Sequence, residues 1–233
     1  MTRPRRDGNP AGRDGPARPE KGRKSLPRGQ QTRRRLLDAA EEMFGEHGFY
    51  DASIVRITEH AGVAQGTFYL YFKSKQEIFE EVVADLNHRV RQAMATAAEG
   101  TGTRFEAERR GFEAFFRFTG EHPALYRVVR EAEFVAPAAM RHHYETIVAG
   151  YVPALAAGMG RGEVAEVDPA VLAWTLMAVG EITGMRFVLW EHRKSMPPAV
   201  FEQLMTIVWR MLGSPGETGS GSTSVGPAPA RSG

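Results

Sequence analysis

The sequence has no cysteine, which excludes disulfides, thiolate metal sites and cysteine nucleophiles and makes a reducing cytoplasm the expected setting. It also lacks a phosphate loop, a dinucleotide fingerprint and a nucleophile elbow, so neither an enzyme reading nor a cofactor has a motif to rest on. Alternating β-branched runs are missing, and no internal repeat is visible. No apolar signal-type segment follows the basic N-terminus. The most apolar stretch, residues 170–190, contains Glu181 and Arg186. Each is costly in lipid, which favours a buried helix over a membrane span. The run His142, His143, Tyr144, Glu145 invites a metal reading, but adjacent histidines on a helix diverge and do not chelate together easily. No metal is expected.

What is present begins with an apolar fraction of 42% in 233 residues, ample for a sizeable core. The formal charge of +2 hides an asymmetry: residues 1–35 hold twelve Lys/Arg against three Asp/Glu, a net +9, which leaves −7 for the remainder. Such an end suits a polyanion, whether nucleic acid or an anionic lipid surface. Residues 1–29, rich in Arg, Pro and Gly without apolar periodicity, read as a disordered basic arm, and the Gly/Ser/Pro segment 214–233 as a disordered tail.

Between these ends, apolar residues recur at helical spacing and predict an all-α body of about nine helices. The first carries Leu36, Leu37, Ala40, Met43 and Phe44 and stops at Gly48. Ser53 caps the second, with Ile54, Ile57 and Ala61 inward, and Ala61-Gly62-Val63 turns the chain into a third over 65–72. Ser74 and Glu77 form a capping box for a long fourth helix striped by Ile78, Phe79, Val82, Val83, Leu86, Val90 and Met94. Further on come a helix with Phe105, Phe112, Phe115 and Phe116, a short one opened by Pro123, and a longer one through Tyr144 to Leu155. Pro153 is expected to kink or break that longer helix. Asp168-Pro169 starts an apolar helix reaching Trp190, and Pro197-Pro198 opens the last.

Residues 53–72 read as a helix-turn-helix. Gly62 supplies a turn conformation that a Cβ tolerates poorly, and Ile57, Ala61, Val63, Phe68 and Phe72 pack the short helices together, fixing the angle of the third. Its opposite face then shows Gln65, Thr67, Tyr69 and Tyr71, groups suited to base edges and phosphate oxygens, while Gly66 admits close backbone approach. Lys75, in the first turn of the fourth helix, joins a lysine charge to free N–H groups and favours a phosphate. Arg33 either lies on a solvated first turn or reaches a phosphate or the minor groove. Upstream arginines add salt-dependent affinity without sequence choice.

Taken together, residues 33–79 resemble the DNA-binding domain of the TetR family of bacterial transcriptional regulators. The resemblance implies a three-helix head over 30–90 and a larger helical domain over 91–213 for ligand binding and dimerisation. It puts Thr67, Tyr69, Tyr71 and Lys75 at positions the family uses on DNA, Ser53 at a phosphate-contacting cap, and Arg56 and Gln65 at variable positions that help set operator choice. Ala64 departs from the pattern, standing where a capping Ser is common; that loss costs ~1 kcal/mol.

The partners so implied are a palindromic double-stranded operator, a second copy of the chain and a small-molecule effector. In the last two helices, Leu176, Gly180, Gly184, Val188, Leu204, Val208 and Met211 are expected to meet the partner subunit, with an intrachain core role as the alternative. An apolar effector pocket is expected from Phe112, Phe116, Tyr126, Arg130, Phe134, Tyr144, Ile147, Val148, Tyr151, Met177 and Met185. Residues 125–134 look like the sixth-helix region of regulators answering to lipid-derived or CoA-linked acids, in which case Arg127, Arg130, Arg141 or Arg186 pairs with the acid; otherwise these are surface or Glu-paired arginines. The expected function is a repressor released from its operator by ligand. An activator or dual regulator, an architectural binder using the basic arm alone, and a membrane-associated sensor are the alternatives.

Overall fold

The computed structural model describes residues 27–213, so the arm up to residue 26 and the 214–233 tail lie outside the described residues. Among the described residues the chain forms nine α-helices and no strand.

Helix α1 (Arg28–Asp51) contains the predicted glycine stop as a kink. Gly48 has φ 79° and ψ 172°, a region that glycine alone reaches readily, and residues 49–51 add one more turn beyond it. Ser53 caps α2 (Ile54–Ala61) by accepting the Arg56 N–H at 3.2 Å. Gly62 (φ 64°, ψ 41°) closes it, with Val63 N–H returning to the Thr58 carbonyl.

Helix α3 (Gln65–Phe68) ends four residues before the predicted limit. Phe68 and Phe72 are both buried and keep one α-type bond, Phe72 N–H to Phe68 O at 3.0 Å. The N–H groups of Leu70 and Tyr71 instead bond three residues back, tightening the chain into turns. Ala64 supplies no side-chain cap, as expected from its lack of a hydroxyl.

Ser74 caps α4 (Lys75–Ala98), accepting from Glu77 N–H at 3.1 Å. The Glu77 carboxylate reaches back to Lys73 N–H, one residue before the place a regular capping box uses. The remaining helices are α5 (Arg104–Glu121), α6 (Ala124–Val135), α7 (Pro137–Gly160), α8 (Pro169–Gly184) and α9 (Pro198–Leu212), with a π-helical turn, Met185–Leu189, extending α8.

Helix α7 runs on through Pro153, contrary to the expected break. Pro153 and Ala149 are both exposed, so solvent can take the carbonyl that proline leaves unbonded, while Val148 and Leu155 remain buried on the opposite side.

Two apolar clusters result. One joins α1–α4 to α6: Leu36, Phe44, Ile57, Phe68, Phe72, Ile78 and Phe79 share it with Leu125, Val128 and Val129. The other is built from Phe112, Phe116, Leu155, Leu176, Val188, Met205 and Val208. The head is therefore not packed alone, and α4 crosses the expected 90/91 boundary without interruption. The segment Pro169–Leu189 is long and apolar enough to cross a membrane by composition. In this fold it buries Leu172, Leu176, Gly180, Gly184 and Val188 and leaves Val171, Trp174 and Ile182 exposed.

Candidate DNA interface and effector cavity

The burial of Phe68 and Phe72 turns the rest of α3 and its following turn outward. Gln65, Gly66 and Tyr69 are exposed, Thr67 is half-buried, and Arg56 stands exposed on α2 beside them. Around Gly66 there is open space, as a close approach to a large partner requires. Tyr71 behaves differently from Tyr69. It packs partly on the head core, with its hydroxyl near Gly29 at the start of α1. Ser53 Oγ accepts the α2 cap bond from the Arg56 N–H, which leaves its own O–H to donate. Sequence reasoning missed Leu70 and Tyr50, 78% and 77% exposed, which flank the same surface in sequence without any polar pattern to mark them.

The cations assigned to phosphate are committed within the protomer. Lys75 Nζ donates to the carbonyls of Phe49 (2.7 Å) and Ala52 (2.8 Å) and lies 4.4 Å from the centre of the Phe49 ring. Burial lowers its pKa. This ammonium ties the end of α1 to the start of α4. Arg33 pairs with Glu81 and lies over the Phe72 ring, Arg34 bridges Asp38 and Asp85, and Arg35 caps the carbonyls of Ala61 and Gly62. The arginine run on α1 thus fastens α1 to α4 and α2. Its helical spacing was legible, but its acidic partners lie about fifty residues away in sequence.

Helix α6 locks the head to the body. Glu131 accepts the Phe49 N–H at 2.6 Å, and Arg127 donates to the Glu46 carbonyl at 2.8 Å. Arg89 on α4 reaches both Glu41 on α1 (2.6 Å) and His122 at the end of α5.

Behind α6 lies a narrow, partly open cavity of about 60 Å³. Its walls come from five helices: Val90 and Met94 of α4, Phe112 and Phe115 of α5, Tyr126 and Val129 of α6, Tyr144 and Tyr151 of α7, and Met177 and Glu181 of α8. Six predicted pocket residues line it, namely Phe112, Tyr126, Tyr144, Ile147, Tyr151 and Met177. The others do not. Phe116 and Val148 are buried in the body core, Phe134 is 77% exposed, and Arg130 lies at the surface with its guanidinium on the Met185 sulfur. An aromatic residue on a helix suggests burial but does not ensure it, and Phe134 stands on the outer side of α6.

The polar groups of the wall form a small network. Tyr144 Oη donates to Glu181 Oε1 at 3.0 Å, and Tyr126 Oη to the Glu181 carbonyl at 2.8 Å. Burial and the Glu181 charge raise both phenol pKa values. Asn87 accepts from Arg91 at 2.8 Å through its oxygen, so its NH₂ faces His143, 3.0 Å from Nδ1 and 2.9 Å from the carbonyl. His143 Nδ1 is then an acceptor and the ring proton sits on Nε2. Burial, with the Arg91 charge, pushes its pKa down to about 4, so the ring is neutral near pH 7. Neither histidine of the 142–143 pair joins a metal-binding cluster among the described residues.

The interface residues expected from α8 and α9 are corrected by burial. Leu176, Gly180, Gly184, Val188, Leu204 and Val208 are covered by their own chain, and Met211 is half-buried. Gly180 is packed against Phe112 and Gly184 against the Tyr126 hydroxyl, so the small residues admit α5 and α6 rather than a second subunit. The outward face consists of Val171, Trp174, Ile182 and Ile207. Helix α8, apolar nearly all round, gives no periodicity from which to choose between its two faces.

An exposed turn on a three-helix head, joined by one long helix to a body with a cavity, is the arrangement of a helix-turn-helix DNA-binding protein. Residues 36–82 match the family described as "Bacterial regulatory proteins, tetR family". These residues therefore form a TetR-type DNA-binding head, and over most of its length the chain is similar to regulators that carry such a head. It is 35% identical over 105 residues to the uncharacterised regulator YdgC of Bacillus subtilis, covering 43% of this chain and about half (54%) of that relative. With EthR of Mycolicibacterium smegmatis it shares 28% identity over 199 residues, 82% of this chain and 91% of EthR. Among solved structures, the fatty acid degradation regulator FadR from Bacillus halodurans superposes with a TM-score of 0.68 at 20% identity, covering 82% of this chain and 97% of that one.

Proposed function

We propose that the chain is a cytoplasmic, dimeric repressor that leaves a two-fold symmetric operator when a small apolar molecule fills the cavity behind α6. The observation that carries this reading is the course of α4. Ile78, Phe79 and Val82 in its first turns are buried in the head, and Val90 and Met94 further along the same helix line the cavity. A ligand that binds better when α4 is displaced shifts the heads out of register with two successive major grooves, by its difference in affinity for the two states.

On DNA, Gln65, Thr67, Tyr69 and Arg56 act at base edges and phosphates, while Gly66 lets the backbone approach. Arg33 and Lys75 hold the head in shape. The second subunit covers Val171, Trp174, Ile182 and Ile207 on α8 and α9, an exposed apolar face of the kind that marks a protein interface. Selection from a random duplex pool with the full chain tests the reading. An enriched sequence with dyad symmetry is expected; enrichment without dyad symmetry, or none, contradicts it.

A further inference from the structure

The cavity wall carries a carboxylate and no cation. Among its lining residues Glu181 is the one carboxylate, none is a lysine or arginine, and His143 is neutral near pH 7. Tyr144 occupies Glu181 Oε1, and no hydrogen bond to Oε2 is found among the described residues. No arginine lines the cavity; Arg91, whose charge acts on His143 from behind the wall, is held on Asn87 Oδ1, and Arg130, whose charge acts on Tyr144, lies outside the lining. Arg130 is exposed on the Met185 sulfur, Arg186 pairs with Glu191, and Arg127 is held by Glu131 and α1 carbonyls. Deeper in the body, Arg104 is paired with the buried Glu108 beside Tyr151. A carboxylate brought into this space meets the Glu181 carboxylate and no lining cation to pair with as it loses hydration. A protonated amine meets a carboxylate with a free oxygen, together with the faces of Tyr144 and Phe115 on the same wall.

We propose that the effector is an apolar molecule with a cationic nitrogen head seated on Glu181, not a free fatty acid. This rests on reading the cavity as the effector site. The apolar body lies along Val90, Met94, Ile147 and Met177, and the head sits at the Glu181–Tyr144 pair. The preference follows from charge at one position, so matched ligands differing only in head group isolate it.

The test is calorimetric titration of the full chain with decylamine, decanol and decanoate, each below its micellar concentration. Decylamine is expected to bind the wild type about tenfold or more tightly than decanoate, with decanol between them. Glu181→Gln, checked for helical circular dichroism, is expected to abolish the preference for the amine while leaving decanol unchanged. Decanoate binding as tightly as decylamine in the wild type overturns the proposal, and this comparison needs no variant. Ile147→Trp, which fills the cavity, separates the two levels of the argument. If it blocks whichever probe binds, the cavity reading stands even where decanoate wins. If binding survives it, or decylamine does not bind at all, the proposal falls; survival of binding also removes the cavity as the site.

Discussion

The backbone N–H of Phe49 donates to Glu131 Oε2 across 2.6 Å, fastening the end of α1 to α6 where the chain is about to enter the helix-turn-helix. The Glu131 carboxylate also lies over Gly48, in the space that a Cβ there would need. Replacing Glu131 by Ala leaves a partly buried N–H without its partner and should cost ~1–3 kcal/mol of stability. Urea unfolding measures it, and an unchanged midpoint would show that the joint contributes nothing.

Lys75→Met separates a strut from a phosphate contact. The account expects a stability loss of ~1–3 kcal/mol, because carbonyls of Phe49 and Ala52 lose their donor. The slope of log operator affinity against log salt should stay unchanged. A phosphate-binding Lys75 predicts the reverse, with stability kept and the slope reduced by about one.

His143 links stability to pH. The unfolded chain takes up a proton near the ordinary value of 6.5, whereas the folded ring does so only at about 4. The unfolded state therefore binds more protons between these values. Its contribution is complete above pH 6.5 and is lost as pH falls toward 4, by about 3 kcal/mol in all. Urea midpoints measured across this range should fall less steeply in His143→Gln than in the wild type. Parallel profiles would contradict the assignment.

The faces of α8 make opposite predictions. Trp174→Glu with Ile182→Glu should give a folded monomer on analytical ultracentrifugation, since both side chains are exposed. Gly184→Ala should lower stability by ~1–3 kcal/mol, because the new methyl meets the Tyr126 hydroxyl, without changing the oligomeric state. Dissociation by the glycine substitution alone would restore the expectation that the glycines face the partner.

The elements of the head could be read from the sequence because each is announced locally: Ser53 and Ser74 as caps, Gly62 as a left-handed turn, Phe68 and Phe72 one helical turn apart. The fate of the charges could not. Arg33 and Lys75 look like free cations until Glu81 and the Phe49 carbonyl are placed beside them by packing. The cavity was half legible. Tyr126, Tyr144, Tyr151 and Met177 were expected, but Val90, His143 and Glu181 were missed, since a lining residue has no periodicity of its own. Gly180 and Gly184 revealed a close approach without revealing what approaches.

Operator binding by two altered chains tests the central claim most directly, that the turn after α3 rather than the basic arm reads DNA. Fluorescence anisotropy on the selected duplex should show that Tyr69→Ala, at a residue 56% exposed and outside the core, folds normally but loses operator preference. Removal of residues 1–26 should lower affinity for all duplexes alike and reduce its salt dependence. Loss of operator preference on removing the arm, with Tyr69→Ala binding as the wild type does, would contradict the account.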